Sequence, residues 1–363
     1  MTDLLSLVDE VGTPVYVYDL ADIRFNHRRL RAALPERTGL YYTLSANPHP
    51  ELLREIRAAG VLPAVRSPGE LDAALVADWP ARDVLYSGPA RRDADLDWAL
   101  RLGVRTFTVD SPAALDQLGR RAAGLRGQAR CLLRVNASGA APSGADPDSV
   151  FAEPFRFAGR TDARIVGLHV RAESDVDGAA SLAGRLASVL AEHGMPVEQV
   201  NFTGFAPRFA GLLASWTRVA LEVDSDLVGT AGTLVTSVLD VRDAGEWQVV
   251  VLESGANHVG LFAGRRTSRS LVPELISRPP SGELVDTVLI GQQETPLDVW
   301  ASTRLPRMRP GDVLAVPDTG AWGATAGLVA FAAPAAPSEV VVDRDDPDYH
   351  VVHVSRLSVT RYP

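Results

Sequence analysis

Apolar and polar positions over the first 225 residues alternate between two periods. Short runs rich in β-branched and aromatic residues predict strands at 13–18, 39–44, 61–65, 84–87, 106–109, 129–135, 165–171, 199–203 and 220–223. Between them, apolar positions three or four apart predict helices at 50–59, 68–77, 94–102, 112–123 and 179–193. A further helix runs from an Asp19 cap to about Ala33, and Ser67 and Ser111 are the caps expected before Pro68 and Pro112. Strand–helix units joined by short turns mean a parallel α/β fold. About eight such strands suit a closed (β/α)8 TIM-like barrel, whose ligand site lies at the strand C-terminal ends. Beyond this region the long helices stop and proline and glycine punctuation rises. Strands at 232–242, 247–252, 287–290, 313–316 and 340–342 predict an antiparallel β-barrel or sandwich domain. The division expected is a barrel at 24–233 and a β domain built from 1–23 plus 234–363, with a polar, proline-bearing loop at 264–281.

Composition narrows the chemistry. The 363 residues include 36 Lys+Arg, and every one is arginine. Arginine keeps its proton and forms no imine, so lysine-based covalent catalysis is excluded by inventory. A net charge of −9 argues against nucleic acid and anionic membrane as partners. Cys131 is the only cysteine, which rules out an internal disulfide and a cysteine-rich metal site. No leader pattern or membrane-length apolar run is evident, so a cytoplasmic protein without a metal is expected. The cluster Asp343-Arg344-Asp345-Asp346 reads as an exposed acidic turn, and His27, His49, His193, His350 and His353 as structural.

The order of elements, from TPVYVYDLADIR at Thr13 to PAAPSEVVVD ending at Asp343, resembles the fold-type III pyridoxal-phosphate-dependent decarboxylases, the diaminopimelate and ornithine decarboxylases with an alanine-racemase-like barrel. That resemblance implies a cofactor pocket whose positions can be read off this chain. Where the family has its lysine in VKANP, the sequence is Leu44-Ser45-Ala46-Asn47-Pro48, and a neighbouring aspartate is replaced by Ala64. The stacking histidine of H-F-H-x-G-S becomes Arg171 in His169-Val170-Arg171-Ala172-Glu173-Ser174. The phosphate-cradling turn is reduced to Thr203-Gly204, and the E-P-G-R run to Glu222-Val223-Asp224-Ser225, with Ser225 in place of the arginine. Glu222, which in the family meets the pyridine nitrogen, is kept. The cysteine position falls on Glu294 before Thr295-Pro296-Leu297-Asp298, a run associated with decarboxylases of secondary metabolism. Trp322 replaces a tyrosine, and Asn257-His258 stands in the G-M-N-H run.

With lysine, ring-stacker and phosphate contacts changed, the expectation is that no cofactor is bound, pyridoxal phosphate included. The changed positions then suggest a new site for a small polar substrate, free or carrier-bound. Glu294, His169 and His258 would act as acid and base, and Arg171, Glu173, Asn257, Asp298, Trp322 and Glu222 would bind the substrate. Alternatively, Arg171 pairs with Glu173, Asp224 or Glu222 and plugs an abandoned pocket, making the chain a non-catalytic subunit. Atypical pyridoxal-phosphate-dependent decarboxylation is the third reading. Ser45 has no evident base and reads as a space-filler rather than a nucleophile. The family resemblance implies a homodimer.

Overall fold

A computed structural model describes residues 4–124, 128–137, 143–158, 162–171, 175–204, 218–243, 245–260, 272–293, 298–330, 335–346 and 351–358. The chain forms two compact units, His27–Val223 and Met1–Asn26 with Asp224–Pro363. Strand β1 (Val15–Asp19) belongs to the second unit. The first is a closed barrel of eight parallel strands: β2 (Gly39–Thr43), β3 (Leu62–Val65), β4 (Leu85–Tyr86), β5 (Thr106–Val109), β6 (Ala129–Asn136), β7 (Ala163–Arg171), β8 (Gln199–Thr203) and β9 (Val219–Val223). The TIM-like architecture expected from the periodicity is therefore present.

Local chemistry fixes where the barrel helices begin. Ser67 accepts the amide of Glu70 and Ser111 that of Ala114, with Pro68 and Pro112 in the first turn. Each side chain satisfies an amide that the helix itself leaves unpaired. Inside the barrel, Tyr41, Ala64, Leu85, Leu132, Val166 and Ala220 form one buried cluster. These six residues come from six strands, and the barrel interior is where all can meet. At Gly167 on β7 the packing leaves no room for a side chain. A Cβ there would stand 2.3 Å from the Gln199 carbonyl oxygen on β8 and 2.6 Å from Leu132 on β6.

The second unit is a sheet built from β10 (Gly232–Asp243), β11 (Trp247–Leu252), β12 (Glu274–Leu275), β13 (Val285–Ile290), β14 (Val299–Leu305), β15 (Val313–Val316), β16 (Ser338–Val342) and β17 (Val351–Arg356) together with β1. Most pairings are antiparallel, as expected, but β1 runs parallel to β16 and β11 parallel to β13. One core holds Val238, Val250, Leu252, Leu289, Leu305 and Leu314, and another Leu7, Val15, Val17, Val235, Val340 and Val342. The helix Leu4–Val11, which presses Leu7 into that second core, was not expected from the sequence; nor were β12 and β14, whereas β17 falls where the stretch around His350 and His353 reads as a strand. No described helix is long and apolar enough to cross a membrane.

The contacts at Gly167 predict that Gly167→Ala destabilises the barrel by about 1–3 kcal/mol, because backbone of β8 would have to move. Denaturant titration of the two proteins would measure it, and an unchanged midpoint would refute the close packing.

Candidate functional site at the barrel mouth

Side chains in a strand alternate faces, so the residue two positions beyond a lumen-facing one also faces the lumen. Moving two residues on from Tyr41, Ala64, Leu85, Leu132 and Ala220 gives Thr43, Arg66, Ser87, Arg134 and Glu222, and the register of β6 with β7, in which Leu132 pairs with Gly167 past an irregularity, adds His169 opposite Arg134. Every one is polar, and this is the C-terminal end of the strands. Strand register agrees, since Arg134 pairs with His169, His169 with Asn201 and Thr203 with Glu222.

Glu222 is the centre of this layer. Its side chain is 1% exposed. Thr43 Oγ1 donates to Oε1 at 2.8 Å, and Arg66 Nη2 donates to the same oxygen at 3.3 Å. The other oxygen, Oε2, stands 3.3 Å from His169 Nε2. That approach lacks hydrogen-bond geometry, so Oε2 and both ring nitrogens of His169 have no hydrogen-bond partner among the described residues. On the adjacent strand Asn201 accepts from Gln199 Nε2 at 2.6 Å, while its own Nδ2 is likewise unpaired. Three neighbouring strands thus present buried, unsatisfied donors and acceptors at one end of the barrel, which folded proteins rarely tolerate without a ligand or other partner.

The charges in this layer are set by burial and by arginine. Burial pushes His169 down to about 4 against the pull of Glu222, and Arg134, Arg66 and Arg171 add to the depression, so the ring is neutral near pH 7. For Glu222, burial favours the neutral acid. His169, Arg66, the Thr43 hydroxyl and Arg134 outweigh it and hold the carboxyl below its ordinary range. Burial lowers Arg134 and raises Asp110, which faces it.

Several positions singled out in the sequence lie in this unit. Ser45 donates to Glu70 Oε1 at 2.7 Å, and Glu70 Oε2 accepts the Arg66 amide at 2.8 Å. The sequence had offered Ser45 no base; the carboxylate comes from the helix Pro68–Val76. Ala64 is buried in the lumen cluster, and Arg171 and Thr203 are paired last residues of β7 and β8. Gly204 follows with φ +142°, a conformation that favours glycine. Glu173 and Glu294 lie outside the described residues.

The remaining positions belong to the sheet unit. His258 is buried, its Nε2 lies 3.0 Å from the Ala335 carbonyl oxygen, and burial lowers its pKa. Asp298 accepts the amides of Ala256 at 2.9 Å and Gln293 at 2.5 Å, thereby tying two loops together. Asn257 is fully buried, and neither of its amide atoms has a partner among the described residues. Trp322 has φ +61°, and Ser225 begins a short helix whose first amide is taken by Asp224 Oδ1 at 2.5 Å. Asp343 and Asp345 pair with Arg24.

Sequence reasoning missed Arg66 and Arg134. The available signal was an arginine in phase with lumen-facing residues on an otherwise apolar strand, as in Leu132-Leu133-Arg134-Val135. The cation bonded to Glu222 here is Arg66.

A family model described as "Pyridoxal-dependent decarboxylase, pyridoxal binding domain" matches residues 20–146. The chain is 24% identical to an L-glutamyl-[BtrI acyl-carrier protein] decarboxylase of Niallia circulans, over 93% of this chain and 91% of that one. It is 29% identical to a diaminopimelate decarboxylase of Actinosynnema pretiosum, over 87% and 81%. The fold superposes on diaminopimelate decarboxylase from M. jannaschii in complex with L-lysine with a TM-score of 0.83 at 21% identity, covering 94% and 90% of the two chains. These findings overturn the expectation that no cofactor is involved, because residues 20–146 match the pyridoxal binding domain of pyridoxal-dependent decarboxylases and the relatives over most of the chain are decarboxylases. The residues present fit such a group in one respect, the unpaired Glu222 Oε2, an acceptor for a ring N–H. They do not fit it in another, since the chain has no lysine to bond it covalently.

The depressed His169 gives a pH signature. An unfolded histidine takes up its proton near pH 6.5, whereas His169 in the folded chain does so only near 4. The unfolded state therefore binds more protons across that window, and stability falls as pH drops through it, by on the order of 3 kcal/mol. Glu222, held below its ordinary 4.5, adds its loss at still lower pH. Comparing wild type with His169→Gln by urea unfolding between pH 7 and 4 tests this. The variant should lose most of the extra slope, and parallel curves would refute the assignment.

Proposed function

The chain belongs to the fold-type III pyridoxal-phosphate-dependent decarboxylase family, and on that premise we propose that it is an atypical pyridoxal-binding member. It holds the cofactor without a covalent anchor and acts on an amino-acid-like acid, free or borne by a carrier protein as in the Niallia relative. The observation that carries this reading is Glu222: buried, with its pKa held low, and with one oxygen unpaired. A buried carboxylate kept charged and half-satisfied is costly unless a donor meets it. A protonated ring nitrogen is such a donor.

Pyridoxal phosphate, when bound, supplies an electron sink for the carbanion left by loss of carbon dioxide. The chain's own residues orient and protonate. Thr43 fixes the Glu222 carboxylate through Oε1 and leaves Oε2 for the ligand. His169, neutral near pH 7, accepts or returns a proton at Nε2. Ser45 and Glu70 take the place of the family's lysine and offer acceptors to a substrate ammonium. No covalent step through a side-chain amine is available, because none exists in the chain.

Titration of the purified protein with pyridoxal phosphate, followed by absorbance and protein fluorescence, tests this reading. The expected result is saturable binding that dialysis reverses, with borohydride leaving no pyridoxyl group on residue 45. Glu222→Ala should weaken binding roughly tenfold, the loss expected for a charged hydrogen bond. Ser45→Lys should acquire a borohydride-fixed adduct that peptide mapping places at residue 45. Absence of binding in the wild type together with absence of an adduct in Ser45→Lys would sink the proposal.

A further inference from the structure

Arg66 stands just past the end of β3, and its backbone is fixed. Its amide donates to Glu70 Oε2 at 2.8 Å, and Glu70 Oε1 accepts the Ser45 hydroxyl at 2.7 Å. The carbonyl of Val65, the residue before it, accepts the Ser87 amide at 2.7 Å. The Arg66 side chain, by contrast, is 36% exposed. Its Nη2 donates to Glu222 Oε1 at 3.3 Å, and among the described residues the guanidinium makes no other hydrogen bond. Thr43 Oγ1 holds the same oxygen more closely, at 2.8 Å. An N–H···O bond is ordinarily about 2.9–3.0 Å long, so the guanidinium is the looser of the two partners. Glu222 is thus tied to the barrel by Thr43, and Arg66 lays a partly hydrated cation against it.

We infer that Arg66 is a specificity-determining residue: it shares the Glu222 carboxylate with any cation that docks on the free oxygen, so the mouth holds a ligand ring nitrogen less firmly protonated than Glu222 and Thr43 alone would. A carboxylate stabilises a proton on a neighbouring nitrogen through its negative charge, and an opposite charge within about 4–6 Å offsets that charge. Arg66 meets Oε1, so it acts on the same group that offers Oε2. The charged and titratable neighbours of Glu222 are His169 on β7, Arg66 on β3 and Arg134 on β6, with Arg171 acting on His169. His169 is neutral near pH 7, and the hydrogen bond that Arg134 makes goes to Ser87 Oγ, at 3.5 Å. Arg66 is therefore the cation in direct contact, and its removal leaves Thr43 and His169 in place. Water screens part of its effect, so a change of about tenfold in the proton affinity of a bound ring is the size expected. The inference rests on Glu222 meeting a pyridoxal ring, and it assigns the residue that tempers that contact.

Pyridoxine 5′-phosphate is the probe, because it carries the ring without the aldehyde and forms no imine with an introduced lysine. On the full chain its ring band is followed by absorbance from about pH 5 to 9, above the range in which His169 and Glu222 take up protons, and its affinity is read by calorimetry. In Arg66→Met the bound ring should titrate about one pH unit higher than in wild type, and binding at pH 7 should tighten about tenfold. Arg66→Gln, neutral but polar, should move the ring in the same direction. Arg66→Lys keeps the charge and should stay near wild type. Adding Glu222→Gln to Arg66→Met should abolish the gain, because the effect runs through that carboxylate. An unmoved ring titration in both neutral variants overturns the role of Arg66 alone if wild type binds the probe. A full-sized displacement in Arg66→Lys, or a gain that survives Glu222→Gln, overturns it as well. Binding by Arg66→Met but not by wild type supports the competition while sinking the reading of wild type as a pyridoxal-binding chain. Binding by none of these proteins overturns both.

Discussion

The Glu222 carboxylate, buried near the top of the barrel, is the constraint to which the rest of the mouth answers. Removing a carboxylate from water is expensive, and the fold compensates it on one oxygen with Thr43 and Arg66. That arrangement has a consequence for the second oxygen, which faces His169 without a hydrogen bond. The histidine in turn is kept neutral by its burial and by the arginines around it. A site of this kind is pre-polarised: its dipoles and charges are in place before any ligand arrives, so a ligand that complements them meets little reorganisation.

The same layer differs from a lysine-anchored pocket in the chemistry open to it. Lysine chemistry requires an amine that loses its proton, and arginine cannot supply that. Arginine does supply permanent charge with a fixed donor geometry. Cys131 makes no contribution, because it lies buried in β6 with its thiol pushed up to about 12.

The barrel was legible in the sequence because its signals are local. Ser67-Pro68 and Ser111-Pro112 announce helix starts, and the alternation of apolar strands with amphipathic helices leaves few topologies open. The sheet unit was less legible. Strand β12 is only two residues long, too short to show an alternation. The parallel pairs β1–β16 and β11–β13 join segments distant in sequence, which no local pattern encodes. In the site, resemblance located Glu222, His169 and Ser45 but not their partners. Arg66 and Glu70 meet them only through barrel closure, in which β3 and the helix after it come beside β2, and β2 pairs with β9.

Arg66 and Arg134 show what kind of reading would have reached further. In a strand buried on both faces, an arginine is expensive unless something receives it. Its phase relative to Leu132 places it in the lumen, and its distance from the strand's C-terminal end places it at the mouth. The same test applied to β2, β3, β4, β6 and β9 picks out Thr43, Arg66, Ser87, Arg134 and Glu222 from alternation, once a single lumen-facing residue per strand is known, and the pairing of β6 with β7 adds His169. The polar layer at the barrel mouth is thus written in the phase of its residues relative to the apolar ones. A reading that looks for family motifs passes over them because neither arginine occupies a motif position.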